Sequence, residues 1–312
     1  MKLNKQGKEE LRAKVLEQLA SVPDGQRVHL EKEVLEELLF DTYAEQLNDT
    51  WGNLEGQKVQ VKYLVWTGDF LKKLDLSEVS FDDVLWNLNY DPDGYFVDGT
   101  PYRYEGIKEI ELSNTNARID FSKSFEGKHL GNDENKGNNK DITIARCYFA
   151  NVDLSNNVLG NTCECWLSEC DFSNTGIVLN FDGEYGISMA DCNFTGIDLS
   201  KYTADEFFFT TDGRMSGSGE LLTGGVNNNF TNTGLNVQTY EYGPARVTKH
   251  LGQEIQMGNL VGCYVNGKKI LPLEERQAIA QEKKAEYEKY KEDLISETTS
   301  SIEQQSSGFG RK

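Results

Sequence analysis

Trp66, Leu71, Leu76, Phe81 and Trp86 stand five residues apart, a spacing that matches neither the turn of an α-helix nor the alternation of a strand. Two positions before four of them is another apolar residue, Leu64, Leu74, Val79 and Val84; before the fifth stands Asp69. The same step recurs at Ile144, Phe149, Leu154 and Leu159, preceded by Ile142, Cys147, Val152 and Asn157. It returns at Leu167, Phe172 and Ile177, preceded by Cys165, Cys170 and Thr175, then at Met189, Phe194 and Leu199, and at Phe230 and Leu235. Such a beat implies short stacked units. No one unit can bury its apolar positions alone, but neighbours share a continuous core.

The words VDLSN, CDFSN, IDFSK, LDLSE and IDLSK are variants of one pentapeptide. In them the chain resembles the pentapeptide-repeat family, over roughly 64–264. The resemblance implies a mainly β fold, a right-handed quadrilateral parallel β-helix with one pentapeptide to a side. It also implies that the central Leu or Phe and the residue two before it point inward. On this sequence Phe149, Leu154, Phe172, Phe194 and Leu199 match the central position, and Cys147, Val152, Cys170, Cys192 and Ile197 the small inward one. Cys165 and Leu167 take the same two places in their run. The phase breaks between Leu159 and Leu167 and between Ile177 and Met189, and insertions are expected at about 87–109, 127–141 and 203–228.

The repeat region, 51–264, is flanked by helical signals. Within 1–50, a helix over 5–20 carries Leu11, Val15 and Leu19, and a second over about 29–46 carries Leu30, Val34 and Leu38 beside Leu35 and Leu39. This helical hairpin is placed to cover one open end of the ladder, where unpaired strand edges invite aggregation. Residues 265–297 begin with an Asn266-Gly267 hairpin turn and continue, after Pro272, as a charged helix to about 296. Leu273, Ala280, Tyr287, Tyr290 and Leu294 suit that helix either to cap the last turn of the ladder or to form a dimer. The Ser/Gln-rich 298–312 is expected to be a disordered tail.

Three cysteines crowd into CECWLSECDFSNTG, and zinc is the sharp reading of such a cluster. Cys163-x-Cys165-x4-Cys170 lacks a matching second pair, however, and the histidines are the scattered His29, His129 and His250. The inward register accounts for Cys147, Cys165, Cys170 and Cys192 as small hydrophobes, leaving Cys163 unexplained. No catalytic or phosphate-binding motif assembles, so no cofactor and no metal is expected. The chain starts without a secretory h-region and has no membrane-length apolar run, which points to a cytoplasmic protein with reduced thiols.

Net charge is −19, concentrated in 51–264, which disfavours direct nucleic-acid binding and favours a partner with a basic surface. From Cys147 to Ser200 there are acids but no Lys or Arg. Asp153, Glu164, Glu169, Asp171, Asp191 and Asp198 are the candidate partner-binding surface, although the repeat itself favours Asp before the central residue. The reading is a non-enzymatic interaction scaffold with an unidentified protein partner. The alternative is an acidic DNA mimic that inhibits a topoisomerase or another DNA-binding protein, as some members of the resembled family do. A third is a β-helix carbohydrate-active enzyme, which needs paired carboxylates on one face.

Overall fold

A computed structural model describes residues 3–46, 58–82, 84–86, 106–121, 142–160, 165–181, 187–205, 228–238 and 257–308. The chain forms two compact units, Met1–Lys269 and Ile270–Lys312.

The first unit opens with α1 (Lys5–Ala20), capped by the Asn4 side chain, which accepts from Gly7 N, and burying Val15 and Leu19. After a turn comes α2 (Lys32–Leu39), with Leu35, Leu38 and Leu39 buried. The sequence predicts helix as far as residue 46, and here the structure differs. Phe40–Gln46 is a strand, β1, paired antiparallel along all seven residues with β2 (Lys58–Leu64). Asp41, Thr42 and Tyr43 are weak helix formers, and a seven-residue ladder outweighs the leucine stripe that suggested a longer helix. Cations from α1 satisfy carbonyls where α2 ends: Lys8 Nζ donates to Phe40 O at 2.8 Å and Arg12 Nε to Leu38 O at 2.8 Å.

Parallel pairing takes over from there. β3 (Val84–Leu85) pairs parallel with β2. β4 (Gly106–Lys108), β5 (Ile142–Ala145), β7 (Cys165–Ser168) and β9 (Ile187–Ala190) form one sheet of parallel neighbours. β6 (Val158–Leu159) and β8 (Val178–Leu179) form a second parallel pair. β10 (Thr203–Asp205), β11 (Asn236–Gln238) and β12 (Tyr264–Val265) are parallel too, and β13 (Lys268–Lys269) folds back antiparallel on β12. Gly106–Lys108 and Thr203–Asp205 thus belong to sheets, although both fall inside expected insertions, and Asn228 is fully buried. The insertion at 127–141 and most of the other two lie outside the described residues.

The strands are short because the backbone turns where the five-residue words join. Glu109, Arg146, Glu169 and Asp191, each directly after a strand of the β4-β5-β7-β9 sheet, have φ between 51° and 58°. Asn114, Asn151, Asn174 and Asn232 are also left-handed, a conformation asparagine tolerates better than most residues. Inside, the rings of Phe149, Phe172, Phe194 and Phe230 stack in succession, with centroids 5.9, 6.0 and 5.6 Å apart. Cys147, Leu154, Cys165, Leu167, Cys170, Cys192 and Leu199 are buried around them.

The second unit is one helix, α3 (Leu273–Gly308). Arg276 N donates to Pro272 O to open it, and Glu274 and Glu275 favour the positive end of its dipole. The sequence predicts disorder from 298, whereas the helix runs on to Gly308. The Thr298 hydroxyl donates to Leu294 O at 2.7 Å, so this residue satisfies itself within the helix, and no glycine or proline interrupts before Gly308. Among the described residues no helix is long and apolar enough to cross a membrane.

Candidate functional site

The recurring Asp-x-Ser and Asn-x-Thr words close one kind of turn. Asp153 Oδ1 accepts from Ser155 N at 3.1 Å and Ser155 Oγ at 2.6 Å, and Asp198 holds Ser200 the same way at 3.0 and 2.6 Å. Asp171 accepts from Ser173 N at 2.8 Å, and Asn193 and Asn229 hold Thr195 and Thr231 through the same atoms. Asp75 does so with Ser77 and also accepts from Asn116 Nδ2 at 2.7 Å. A carboxylate that accepts several N–H and O–H groups resists protonation. The Asn116 amide, then Ser77, pull the Asp75 pKa far below the usual carboxylate range. Ser155 lowers that of Asp153, and Ser200 that of Asp198.

Register sorts the outward side chains into columns. In the first, Glu109, Arg146, Glu169 and Asp191 follow one another, linked by Glu109 N→Ala145 O, Arg146 N→Ser168 O and Glu169 N→Ala190 O at 2.9–3.0 Å. Arg146 Nη2 clasps Glu109 Oε1 at 2.7 Å, and this bond, with attraction from Glu109 and Glu169, raises the guanidinium pKa. Glu169 and Asp191 are exposed neighbours at the other end. The second column runs Glu111, Tyr148, Asp171, Asn193, Asn229, with Asn193 Nδ2 donating to Asp171 Oδ2 at 3.2 Å. A third is neutral: Asn151 Nδ2 donates to Asn114 Oδ1 at 2.7 Å and Asn174 Nδ2 to Asn151 Oδ1 at 3.1 Å.

Of the candidate acids, Glu169 and Asp191 therefore share a column and Asp171 lies on another. Asp153 is bridged to Arg118, 3.4 Å away, outside both columns, and Asp198 is outside both as well. Glu164 and Cys163 lie outside the described residues. The buried cysteines are free thiols, and Cys147, Cys170 and Cys192 donate to the carbonyls of Ala145, Ser168 and Ala190, two residues back. Burial pushes the Cys147 thiol up, which keeps it protonated. Among the described residues no group of three or more His, Cys, Asp or Glu is arranged to hold a metal.

A groove of about 780 Å³ between α1, α2 and β1 was not legible in the sequence, which read β1 as helix. Leu3, Leu11, Val34 and Phe40 line it together with Lys8 and Lys62. Lys62 Nζ stands 4.0 Å over the Phe40 ring and donates to Ser80 O, and burial lowers its pKa.

No protein-family model matches the chain, and neither does any curated protein or solved structure.

Proposed function

We propose that the chain is a pentapeptide-repeat protein whose parallel ladders are sides of a right-handed, four-sided β-helix. It acts without catalysis, as a scaffold that offers a fixed acidic surface to a basic protein partner. The β-helix reading is supported by parallel pairings that step from Ile142 to Cys165 to Ile187, roughly four pentapeptides at a time. The scaffold reading rests on the first column. Glu169 and Asp191 are adjacent, exposed carboxylates on left-handed corners of a hydrogen-bonded ladder, so a partner meets them already ordered.

A glycosidase needs one carboxyl with a raised pKa, and Asp153 and Asp198 are shifted the opposite way, which favours the non-catalytic reading. DNA mimicry needs files of like charge; Arg146 interrupts the first column, and Tyr148 and two asparagines share the second with Asp171. Free thiols suit a cytoplasmic protein. Exposed Tyr287, Tyr290 and Leu294 suit self-association through α3.

The test compares capture from a cell lysate by the wild type and by Glu169→Gln/Asp191→Asn. A partner that the wild type retains, that salt releases and that the variant loses supports the scaffold. Identical capture by both removes the acidic column from the function. Inhibition of gyrase supercoiling by micromolar protein would favour the mimic instead.

A further inference from the structure

Asn266-Gly267 is the single Asn-Gly pair in the chain, and it forms the two-residue turn between β12 and β13. Both residues are left-handed, with φ 48° and 74°, as a turn of this length requires. Asn266 is exposed, and nothing lies within 4 Å of the place a Gly267 Cβ would occupy. The nitrogen that follows the asparagine therefore carries no shielding side chain of its own, and the space beside the Gly267 Cα is open. At Asn114, Asn151 and Asn174 the residue that follows is β-branched, Thr115, Val152 and Thr175, and its side chain crowds the nitrogen that would attack.

We propose that Asn266 is a site of spontaneous conversion to isoaspartate, and that this conversion releases the β12–β13 hairpin. The deprotonated Gly267 nitrogen attacks the Asn266 side-chain carbonyl carbon. A C–N bond forms, the bond to Nδ2 breaks, and ammonia leaves a five-membered succinimide. Water then adds to the ring. Cleavage of the bond from nitrogen to the main-chain carbonyl carbon routes the backbone through Cβ and Cγ, while cleavage on the Cγ side yields ordinary aspartate. No oxidant or reductant takes part. The isoaspartyl product has one extra backbone carbon, so the register Val265↔Lys268 and Tyr264↔Lys269 across a two-residue turn is lost. β12, which otherwise pairs with β11 on one side and β13 on the other, becomes an open edge.

The experiment ages the purified full-length protein at mildly acidic and mildly alkaline pH and maps its peptides by mass. A gain of about one dalton on the Asn266 peptide, ahead of the peptides carrying Asn114, Asn151 and Asn174, is expected. The rate should rise about tenfold per pH unit, since the attacking amide must lose its proton. Isoaspartyl methyltransferase should label the Asn266 peptide of the aged wild type and not the same peptide from freshly prepared Asn266→Asp, which still carries ordinary aspartate. Hydrogen exchange at Val265 and Lys268, the pair that closes the hairpin, should accelerate in the aged wild type. It should not do so in freshly prepared Asn266→Asp, which adds the charge without the extra carbon. Tyr264, whose amide donates to Leu235 O, should change less. An unchanged Asn266 peptide beside deamidated ones elsewhere overturns the site. Equal exchange in aged wild type and Asn266→Asp overturns the release of the hairpin.

Discussion

The ring of Phe172 lies 6.0 Å from that of Phe194, with the two planes only 4° apart. Both side chains are fully buried, and backbone bonds align the segments, Phe172 N donating to Asn193 O and Phe194 N to Asn229 O at 2.8 Å. Core packing and the parallel ladder are thus coupled: a ring that leaves the stack loosens the segments on both sides.

Phe172→Ala is expected to destabilise the first unit by about 3–5 kcal/mol, measured by urea unfolding. Phe172→Leu should lose far less, because it leaves a smaller void.

Gly196→Ala tests the third column. Gly196 has φ 77°, and an added Cβ would sit 2.3 Å from Asn174 Oδ1. A loss of about 1–2 kcal/mol is expected from the backbone conformation alone, and more from the contact. Asn174→Gly in the same chain should recover the contact part, so a double-mutant cycle should be non-additive.

Acid should weaken the turns. The folded-state pKa values of Asp75, Asp153 and Asp198 are depressed by their hydrogen bonds. Their contribution is therefore present above the unfolded value of about 3.9 and lost as pH falls through the lower folded values. The thermal midpoint should drop below about pH 4. In a Ser77→Ala/Ser155→Ala/Ser200→Ala variant the drop should be shallower, because fewer donors favour the ionised carboxylates.

Thiol reactivity should report the core. In a Cys163→Ser background, Ellman's reagent should leave the five remaining cysteines unmodified in buffer and titrate all of them in denaturant. Fast labelling in buffer would place a buried cysteine at the surface.

Much of the inward pattern was legible because it is local. Phe149, Phe172 and Phe194 recur within the five-residue words, and each lies in the core. Asp153 and Ser155 make their turn within three residues, and Asn266-Gly267 makes its own within two. The fate of Phe40–Gln46 was not legible, since its strand exists only because β2 runs beside it, and the groove beneath α1 follows from that pairing.

The sequence by itself determined which side chains turn inward and where the backbone turns, because both depend on neighbours a few residues away. Only the tertiary structure decided which outward residues share a column. That depends on how much chain separates paired segments, roughly 22 residues from Phe172 to Phe194 but far more from Phe194 to Phe230. So Glu169 came to lie beside Asp191, with Asp171 on another column and Asp153 against Arg118, through long-range register that no local word encodes.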